Sequence, residues 1–367
     1  MKFASQIKEL EISGIRKCFE GAGPGAINLG LGQPDFDTPS HIKIAAVKAI
    51  QEGFTGYTAN CGFPDLVLAI SQKFEHENQL KYSPGEIMVT SGASEALFLA
   101  IASLIDKEDE VLMGDPSFLS YSALTKVMGG RPVGVPLSDQ LTMTPQAVSE
   151  KITPRTKAII VNSPSNPTGS VQSEEELRGI AQIADDKDIA LISDEVYEHF
   201  IYGGKHFSPA KYSDNAITIN AVSKTYAMTG WRLGYLAAKG GAIEQMLKVH
   251  QYSQACACSI SQKAALAALT GPQDCVAAMR EEFRWRRDMV VQGFLDMGID
   301  LITPQGAFYL FPKVGDGDAA VIRLAKAGVI AVPGSAFGPG GKEHIRLSYA
   351  SSRENLEEAL RRMKGVL

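Results

Sequence analysis

The chain has 367 residues, more than a single hydrophobic core usually supports, which predicts a large domain together with a smaller one. Its net charge of −5 and isoelectric point near 5.8, with no basic run, argue against a nucleic-acid-binding surface. Residues 1–10 lack the apolar core of a signal peptide, and no apolar stretch approaches the ~20 residues that span a bilayer. The five cysteines lack zinc-ligand spacing and favour reduced thiols, so we expect a cytoplasmic globular protein without a bound metal.

The first 80 residues predict helices separated by irregular segments. Residues 1–20 show the loose apolar stripe of an amphipathic helix, which a glycine-rich break ends. Glycines and prolines in the segment 27–39 exclude regular structure after its first residues, so this segment predicts an ordered loop. Helices are predicted over 41–52 and 64–78, and the loop between them carries Tyr57.

From residue 86 onward, apolar runs alternate with helical patterns. This order predicts an α/β fold whose large domain has a seven-stranded, mostly parallel sheet with helices on both faces. Helices are predicted over 94–105, 116–128 and 173–187. The seven predicted strands are Ile87–Thr90, Glu110–Met113, Pro132–Val135, Ala158–Val161, Ile189–Ser193, Ile217–Ala221 and Leu233–Ala237.

The pattern changes in the last third of the chain. Long helices extend from 241 to about 297, and three short strands and a C-terminal helix follow them. The short strands are predicted over 308–311, 329–332 and 345–348. We therefore predict a large domain over 41–279 and a small α/β domain formed by residues 1–40 and 280–367.

Residues suited to binding a ligand follow the first two predicted strands, and ligands on such sheets bind beyond the carboxyl ends of the strands. In SGASEAL, residues 91–97, Gly92 and Ala93 allow a ligand close to the backbone, and Ser94 opens a helix whose free N–H groups form an anion site. Simple helix capping explains the same residues. In DPSF, Phe118 can cover the face of an aromatic ring, although a core phenylalanine is the commoner case.

Two later motifs also follow buried strands. NSPSNPTG, residues 162–169, predicts a tight loop in which the Asn166 amide can donate a hydrogen bond to a phenolate oxygen. In SDEVY, the Asp194 carboxylate ends a strand, where burial is unfavourable unless the charge is paired, for example with a protonated ring nitrogen. Tyr197 supplies a second hydroxyl donor. An N-cap followed by an acid in the first helical turn is the alternative for Asp194 and Glu195.

A lysine and two arginines complete the candidate residues. In AVSKTYAMTGWRLGY, Lys224 follows an apolar run and lies between two small hydroxyl residues, where it can hold a phosphorylated aldehyde as a Schiff base. Ser223 and Arg232 in the same stretch suit a phosphate. In HIRLSYA, Arg346 lies inside a short apolar strand and needs a carboxylate partner, which a substrate or a structural ion pair can supply.

The order LGQPDF, NPTG, SDEVY, SKTYAMTGWRLG and HIRLSYA resembles the fold-type I, pyridoxal-phosphate-dependent aminotransferases of class I/II over nearly the whole chain. The branch it resembles includes prokaryotic aspartate and aromatic aminotransferases. The resemblance implies pyridoxal 5′-phosphate as the cofactor, Lys224 as the Schiff-base lysine and Asp194 as the partner of the pyridine nitrogen. It implies that Asn166 and Tyr197 donate to the ring oxygen O3′ and that Phe118 stacks on the ring.

The same resemblance implies a phosphate cradle made of Ser223, Arg232 and the backbone at Gly92, Ala93 and Ser94. Tyr57 matches a tyrosine that reaches the phosphate of the neighbouring subunit, which implies a homodimer with shared sites. Arg346 matches the clamp on the substrate α-carboxylate, helped by Asn166 and the backbone near Gly32. The plausible side-chain pocket positions are Ser13–Ile15, Tyr121 and Phe308. One departure is Ser165, where many relatives have a second asparagine.

The function implied is transfer of an amino group from an L-amino acid to a 2-oxo acid such as 2-oxoglutarate, with aspartate or an aromatic amino acid as donor. In that reaction Lys224 both holds the cofactor and carries the proton from the substrate α-carbon. A β-lyase would use the same ring-holding residues. A transcription regulator would need a helix-turn-helix region, and only about 26 residues precede INLGLGQ. A Rossmann dinucleotide-binding protein would need a G-x-G-x-x-G motif after the first strand of the sheet, and no such motif follows it.

Overall fold

The computed structural model describes residues 1–8, 10, 23 and 25–367. The helix predicted over 1–20 therefore lies mostly outside the described residues, although Ser5–Lys8 is helical. The predicted pocket positions Ser13–Ile15 also lie outside the described residues.

Seven strands form the central sheet, in the order β2-β8-β7-β6-β5-β3-β4. All neighbouring strands are parallel except β8, which is antiparallel to both β2 and β7. The prediction of a seven-stranded, mostly parallel sheet is confirmed. The strands are β2 (Ile87–Thr90), β3 (Glu110–Asp115), β4 (Arg131–Pro136), β5 (Thr156–Asn162), β6 (Ala190–Asp194), β7 (Ala216–Ala221) and β8 (Gly234–Ala238).

The burial of these strands explains why they appear in the sequence as continuous apolar runs. Every residue of β2, β7 and β8 is buried, because helices cover both faces of the sheet. The edge strand β4 has only Val135 buried, and its other residues are partly or fully exposed. The sequence signal is therefore weakest at the edge strand β4, whereas β2, at the other edge, is as fully buried as the central strands.

Helices fill the connections, close to the predicted ranges. The helix predicted over 64–78 changes at Phe74 to a π-helical turn that ends at Asn78. Glu174–Asp186 begins with a capping box, in which Ser173 and Glu176 exchange hydrogen bonds. The described helices are Ser5–Lys8, Ser40–Gln51, Pro64–Lys73, Ala93–Leu104, Leu119–Val127, Pro145–Lys151, Glu174–Asp186, Val222–Thr225, Ala242–Ser253, Ser259–Thr270, Asp274–Asp296, Gly317–Lys326 and Arg353–Met363. None of them is long and apolar enough to cross a membrane.

Two small sheets bring the ends of the chain together. β1 (Ile27–Asn28) pairs in parallel with β10 (Val329–Ile330). The second small sheet has the order β11-β12-β9, with antiparallel neighbours. Its strands are β9 (Tyr309–Leu310), β11 (Val332–Pro333) and β12 (Ile345–Ser348). The domain boundaries at residues 40 and 279 stay a prediction.

Candidate active site

The candidate site is a pocket of about 270 Å³ at the carboxyl ends of β5, β6 and β7. These three strands are adjacent in the sheet, so residues far apart in the chain reach one cavity. The predicted site residues that line it are Gly32, Ala93, Ser94, Phe118, Asn166, Asp194, Tyr197, Ser223, Lys224, Arg232 and Arg346. Tyr121, predicted as a side-chain pocket position, lines it as well.

Lys224 lies in the single helical turn Val222–Thr225, directly after β7. Its Nζ donates a hydrogen bond of 2.6 Å to the carbonyl oxygen of Gly32. Loss of hydration in the pocket, together with the positive charges of Arg346 and Arg232, lowers the pKa of this amine to about 8. At pH 7 about a tenth of Lys224 is therefore neutral, far more than of an ordinary lysine, and a neutral amine is both a nucleophile and a base.

Asp194 is the last residue of β6, and its side chain is almost fully buried at the bottom of the pocket. Its Oδ2 accepts a hydrogen bond of 2.7 Å from the hydroxyl of Tyr121, and its Oδ1 accepts one of 3.4 Å from the backbone N–H of Val196. Burial outweighs these bonds and raises the pKa of Asp194 to about 6. A buried carboxylate of this kind gains most from a cationic partner inside the pocket.

The loop after β5 connects Asp194 to Arg346. The side chain of Asn162 donates to the carbonyl of Asp194 over 2.9 Å and accepts from the backbone N–H of Asn166 over 2.8 Å. The Oδ1 of Asn166 then accepts a 3.0 Å bond from Nη1 of Arg346. Because this oxygen accepts from the guanidinium, the Asn166 amide NH₂ remains the group that can donate to a ligand.

Arg346 lies in β12 with 1% of its surface exposed. Its Nη2 donates a 2.5 Å bond to the carbonyl of Gly30, and its guanidinium lies 4.7 Å from the ring centroid of Tyr309 and 4.9 Å from that of Phe337. The aromatic rings and the carbonyl fix the orientation of the guanidinium while one end of it lines the pocket. A fixed, planar cation suits bidentate binding of a carboxylate.

Two tyrosines form the wall between Lys224 and Arg346. The hydroxyls of Tyr197 and Tyr309 are 2.7 Å apart, and both side chains are buried. A Cβ atom at Gly32 would lie 2.2 Å from the Tyr309 hydroxyl, so only glycine allows this loop to approach the wall.

The other end of the pocket has the features of an anion site. The helix Ala93–Leu104 begins there, with Ala93 and Ser94 lining the pocket together with Ser223 and Arg232. Gly92 precedes this helix with φ of +85°, and a Cβ at this position would lie 2.7 Å from Nη2 of Arg232. A helix N-terminus, a hydroxyl and a guanidinium together provide the donors that a phosphate needs.

Three predicted positions lie elsewhere. Gly92 lies behind the pocket wall, against Arg232. Tyr57 is 90% exposed and does not line the pocket of its own chain. Phe308 is buried in the core next to Tyr197, with ring centroids 5.3 Å apart, while the next residue, Tyr309, lines the pocket.

Sequence reasoning missed several lining residues. Tyr309 and Leu31 lie next to the predicted residues Phe308 and Gly32, so the GAFY and LGQPDF motifs contained the available signal. Asn162 opens the NSPSNPTG motif, but its bridging hydrogen bonds depend on tertiary contacts. The other missed residues are Leu97, Val196, Ala221 and Thr229.

Comparison with known proteins identifies the family. The model of the aminotransferase class I and II family matches residues 24–363. The chain belongs to this family. It is 46% identical over 372 residues to a probable aspartate aminotransferase of Methanocaldococcus jannaschii, covering 99% of each chain. It is 38% identical to aromatic-amino-acid aminotransferase 2 of Thermococcus litoralis, covering all of this chain and 98% of that protein. The solved structure of Thermus thermophilus aspartate aminotransferase with maleate is 38% identical, with a TM-score of 0.96 and complete coverage of both chains.

These relatives confirm the prediction of a fold-type I aminotransferase. The β-lyase alternative finds no support among the named relatives, which are all aminotransferases. The roles assigned to individual residues stay predictions.

Proposed function

We propose that this aminotransferase moves the amino group of an L-amino acid to a 2-oxo acid with pyridoxal 5′-phosphate held in the pocket described above. The observation that carries this proposal is that one cavity is lined by the amine of Lys224, the carboxylate of Asp194 and the guanidinium of Arg346. A lysine for the aldehyde, an acid for the ring nitrogen and a cation for the substrate carboxylate are the three charges that this chemistry requires.

The residues present fit the cofactor at each of its ends. Asp194 would accept from the ring nitrogen, and Asn166 and Tyr197 would donate to the ring oxygen. Phe118 would cover one face of the ring. The backbone N–H groups of Ala93 and Ser94, the Ser223 hydroxyl and Arg232 would bind the phosphate, and Gly92 lets this arginine lie close to the helix start.

When bound, pyridoxal phosphate supplies the aldehyde that takes up the amino group and a cationic ring that accepts electrons from the substrate α-carbon. Arg346 holds the substrate carboxylate and so orients its Cα–H bond toward Lys224. Lys224 removes the proton from Cα through Nζ and returns a proton later in the cycle. Its pKa of about 8 suits both steps, because the amine gains and loses a proton readily near neutral pH.

Asp194 would keep a negative charge next to the ring nitrogen of the bound cofactor. The hydroxyl of Tyr121 and the backbone N–H of Val196 bind its two oxygens and fix their direction. The pKa of Asp194 is about 6 in the absence of a cationic partner, so most of the carboxyl is ionised at neutral pH. Pairing with a cation would lower this pKa and favour the ionised form more strongly.

We propose aspartate or an aromatic amino acid as the donor and 2-oxoglutarate as the acceptor. The support is that relatives spanning this chain include aspartate and aromatic-amino-acid aminotransferases. The lining residues Phe118, Arg232 and Arg346 are assigned above to the cofactor and to the substrate α-carboxylate, so they do not distinguish an acidic donor from an aromatic one.

We also propose a homodimer in which Tyr57 reaches the phosphate of the partner's site. Tyr57 is exposed, and the helix Ser40–Gln51 presents three further exposed apolar side chains, Ile44, Val47 and Ile50. Such a set of apolar residues favours burial against a second copy. Light scattering that gave a monomer at micromolar concentration would contradict the shared site.

The function is tested by adding single amino acids to the holoenzyme and measuring pyridoxamine phosphate and 2-oxo acid, followed by kcat/KM for a donor panel with 2-oxoglutarate. We expect the amino form of the cofactor to accumulate in equal amount to the 2-oxo acid. Lys224→Ala should abolish turnover and the covalent attachment of cofactor that borohydride fixes in the wild type. Accumulation of no pyridoxamine phosphate with any donor would overturn the proposal.

A further inference from the structure

A buried histidine joins two segments that the proposed cofactor site depends on. His250 lies in the helix Ala242–Ser253 and is 0% exposed. Its Nδ1 is 2.7 Å from Oε1 of Glu95, and its Nε2 is 3.0 Å from the carbonyl oxygen of Asn60. Glu95 belongs to the first turn of the helix Ala93–Leu104, and its other oxygen accepts from the backbone N–H of Ser91. His250 does not line the pocket.

The chemistry of these partners determines where the protons are. A carbonyl oxygen only accepts, so Nε2 of His250 carries a hydrogen. One further proton lies between Nδ1 and the Glu95 carboxyl, on either atom, and in both arrangements the pair has no net charge. Without His250, the carboxylate of Glu95 would keep only the backbone N–H of Ser91 and the helix N-terminus as partners, with 9% exposure, one residue after Ser94.

Each partner of His250 belongs to a segment with a role at the phosphate. Glu95 and Ser91 flank the Gly92–Ser94 turn, whose backbone forms the anion site. Asn60 belongs to the loop that carries Tyr57, and its side chain donates to the carbonyl of Ala255 over 2.6 Å. One imidazole therefore holds the phosphate turn of its own site and the loop that presents Tyr57.

We propose that His250 is a positioning residue for the cofactor phosphate, which neutralises Glu95 behind the anion site and fixes both the Gly92–Ser94 turn and the Tyr57 loop. This inference rests on the proposed function, because the phosphate concerned is that of pyridoxal phosphate. Repulsion from an uncompensated carboxylate near a phosphate dianion is strong in a poorly hydrated site. We expect the effect to be specific to the phosphate end, since His250 contacts Glu95 and Asn60 and does not line the pocket.

The test first removes the cofactor from the protein. The dissociation constants of pyridoxal phosphate and of pyridoxal, which lacks the phosphate, are then measured by absorbance titration of the cofactor-free protein with each compound. We expect His250→Leu to weaken pyridoxal phosphate binding about 10- to 100-fold, the loss typical of a missing bond to a charged group, and to change pyridoxal binding less than about threefold. Turnover at saturating cofactor should stay within a few-fold of the wild type. The double variant Glu95→Gln with His250→Leu should recover at least half of the loss on a logarithmic scale.

The milder variant His250→Asn, whose amide can keep one of the two bonds, serves if His250→Leu does not fold; its expected effect is smaller and in the same direction. Equal weakening of pyridoxal and pyridoxal phosphate, or no recovery on adding Glu95→Gln, would overturn the positioning role and indicate a purely structural histidine. Failure of the wild type to bind pyridoxal phosphate would overturn the proposed function instead.

Discussion

Replacing Asp194 with asparagine should make the cofactor-free protein more stable while it impairs catalysis. The pKa of Asp194 is raised from 3.8 to about 6 by burial, so the folded protein binds its proton more tightly than the unfolded chain does. Stability is therefore lost as the pH rises from about 4 to about 6, and above that range the ionised carboxylate destabilises the fold by a constant amount. A difference of about 2 pKa units at about 1.4 kcal/mol each gives roughly 3 kcal/mol.

Asparagine has the same shape and no charge, so Asp194→Asn removes this destabilisation. We expect the free energy of unfolding to rise by at most about 3 kcal/mol at pH 8 and by about half as much at pH 5, where most of the wild-type carboxyl is already protonated. The measurement is urea denaturation of the cofactor-free protein at both pH values. The same variant should lower kcat by at least about 100-fold, because a neutral amide cannot stabilise a protonated ring nitrogen.

Glu110 provides a matched control at the opposite end of the sheet. It is also a buried strand carboxylate, but hydrogen bonds from Thr153 and Arg155 lower its pKa. Glu110→Gln should therefore destabilise the protein at pH 8. If Asp194→Asn gave no gain in stability, or a gain equal at pH 5 and pH 8, burial of an unpaired charge would be the wrong account of this residue.

Three further predictions concern the site. Arg346→Lys should lower kcat/KM about 100-fold, because lysine cannot bind a carboxylate bidentately, and should change cofactor affinity little. Steady-state kinetics measures the first effect and a cofactor titration the second. The rate of cofactor uptake should rise with pH and level off above about 8, the pKa of Lys224, and a rate still rising at pH 10 in stopped-flow absorbance would contradict a lowered pKa. Gly234→Ala should weaken cofactor binding, because its Cβ would lie 2.6 Å from the backbone N of Ala93, whereas Gly230→Ala, which meets nothing within 4 Å, should bind normally.

The central sheet could be predicted from the sequence because strands buried on both faces are apolar throughout. Asp194 and Lys224 were recognisable for a related reason, since each is a charged residue directly after such a run. The family resemblance added the roles, which local pattern alone left open between capping and catalysis.

Other parts of the site depend on contacts that no local pattern contains. The bond from Tyr121 to Asp194 joins residues 73 positions apart, and that between His250 and Glu95 joins residues 155 apart. The choice of Tyr309 over Phe308 as the lining residue depends on the direction in which each side chain leaves the backbone at the start of β9, which begins at Tyr309. Both residues are buried aromatics, so hydrophobicity could not separate them.

The pairing of the two chain ends determines the order in which the pocket can form during translation. β2 to β8, with Asp194 and Lys224, are complete once residue 238 has been synthesised. β1 must wait for β10, and Gly30 meets Arg346 only across 316 residues. The end of the pocket that we propose to bind the substrate carboxylate is therefore assembled last, after the ribosome has made nearly the whole chain. A nascent or C-terminally truncated chain would contain Asp194 and Lys224, the residues proposed for the cofactor, without Arg346, the residue proposed for the substrate.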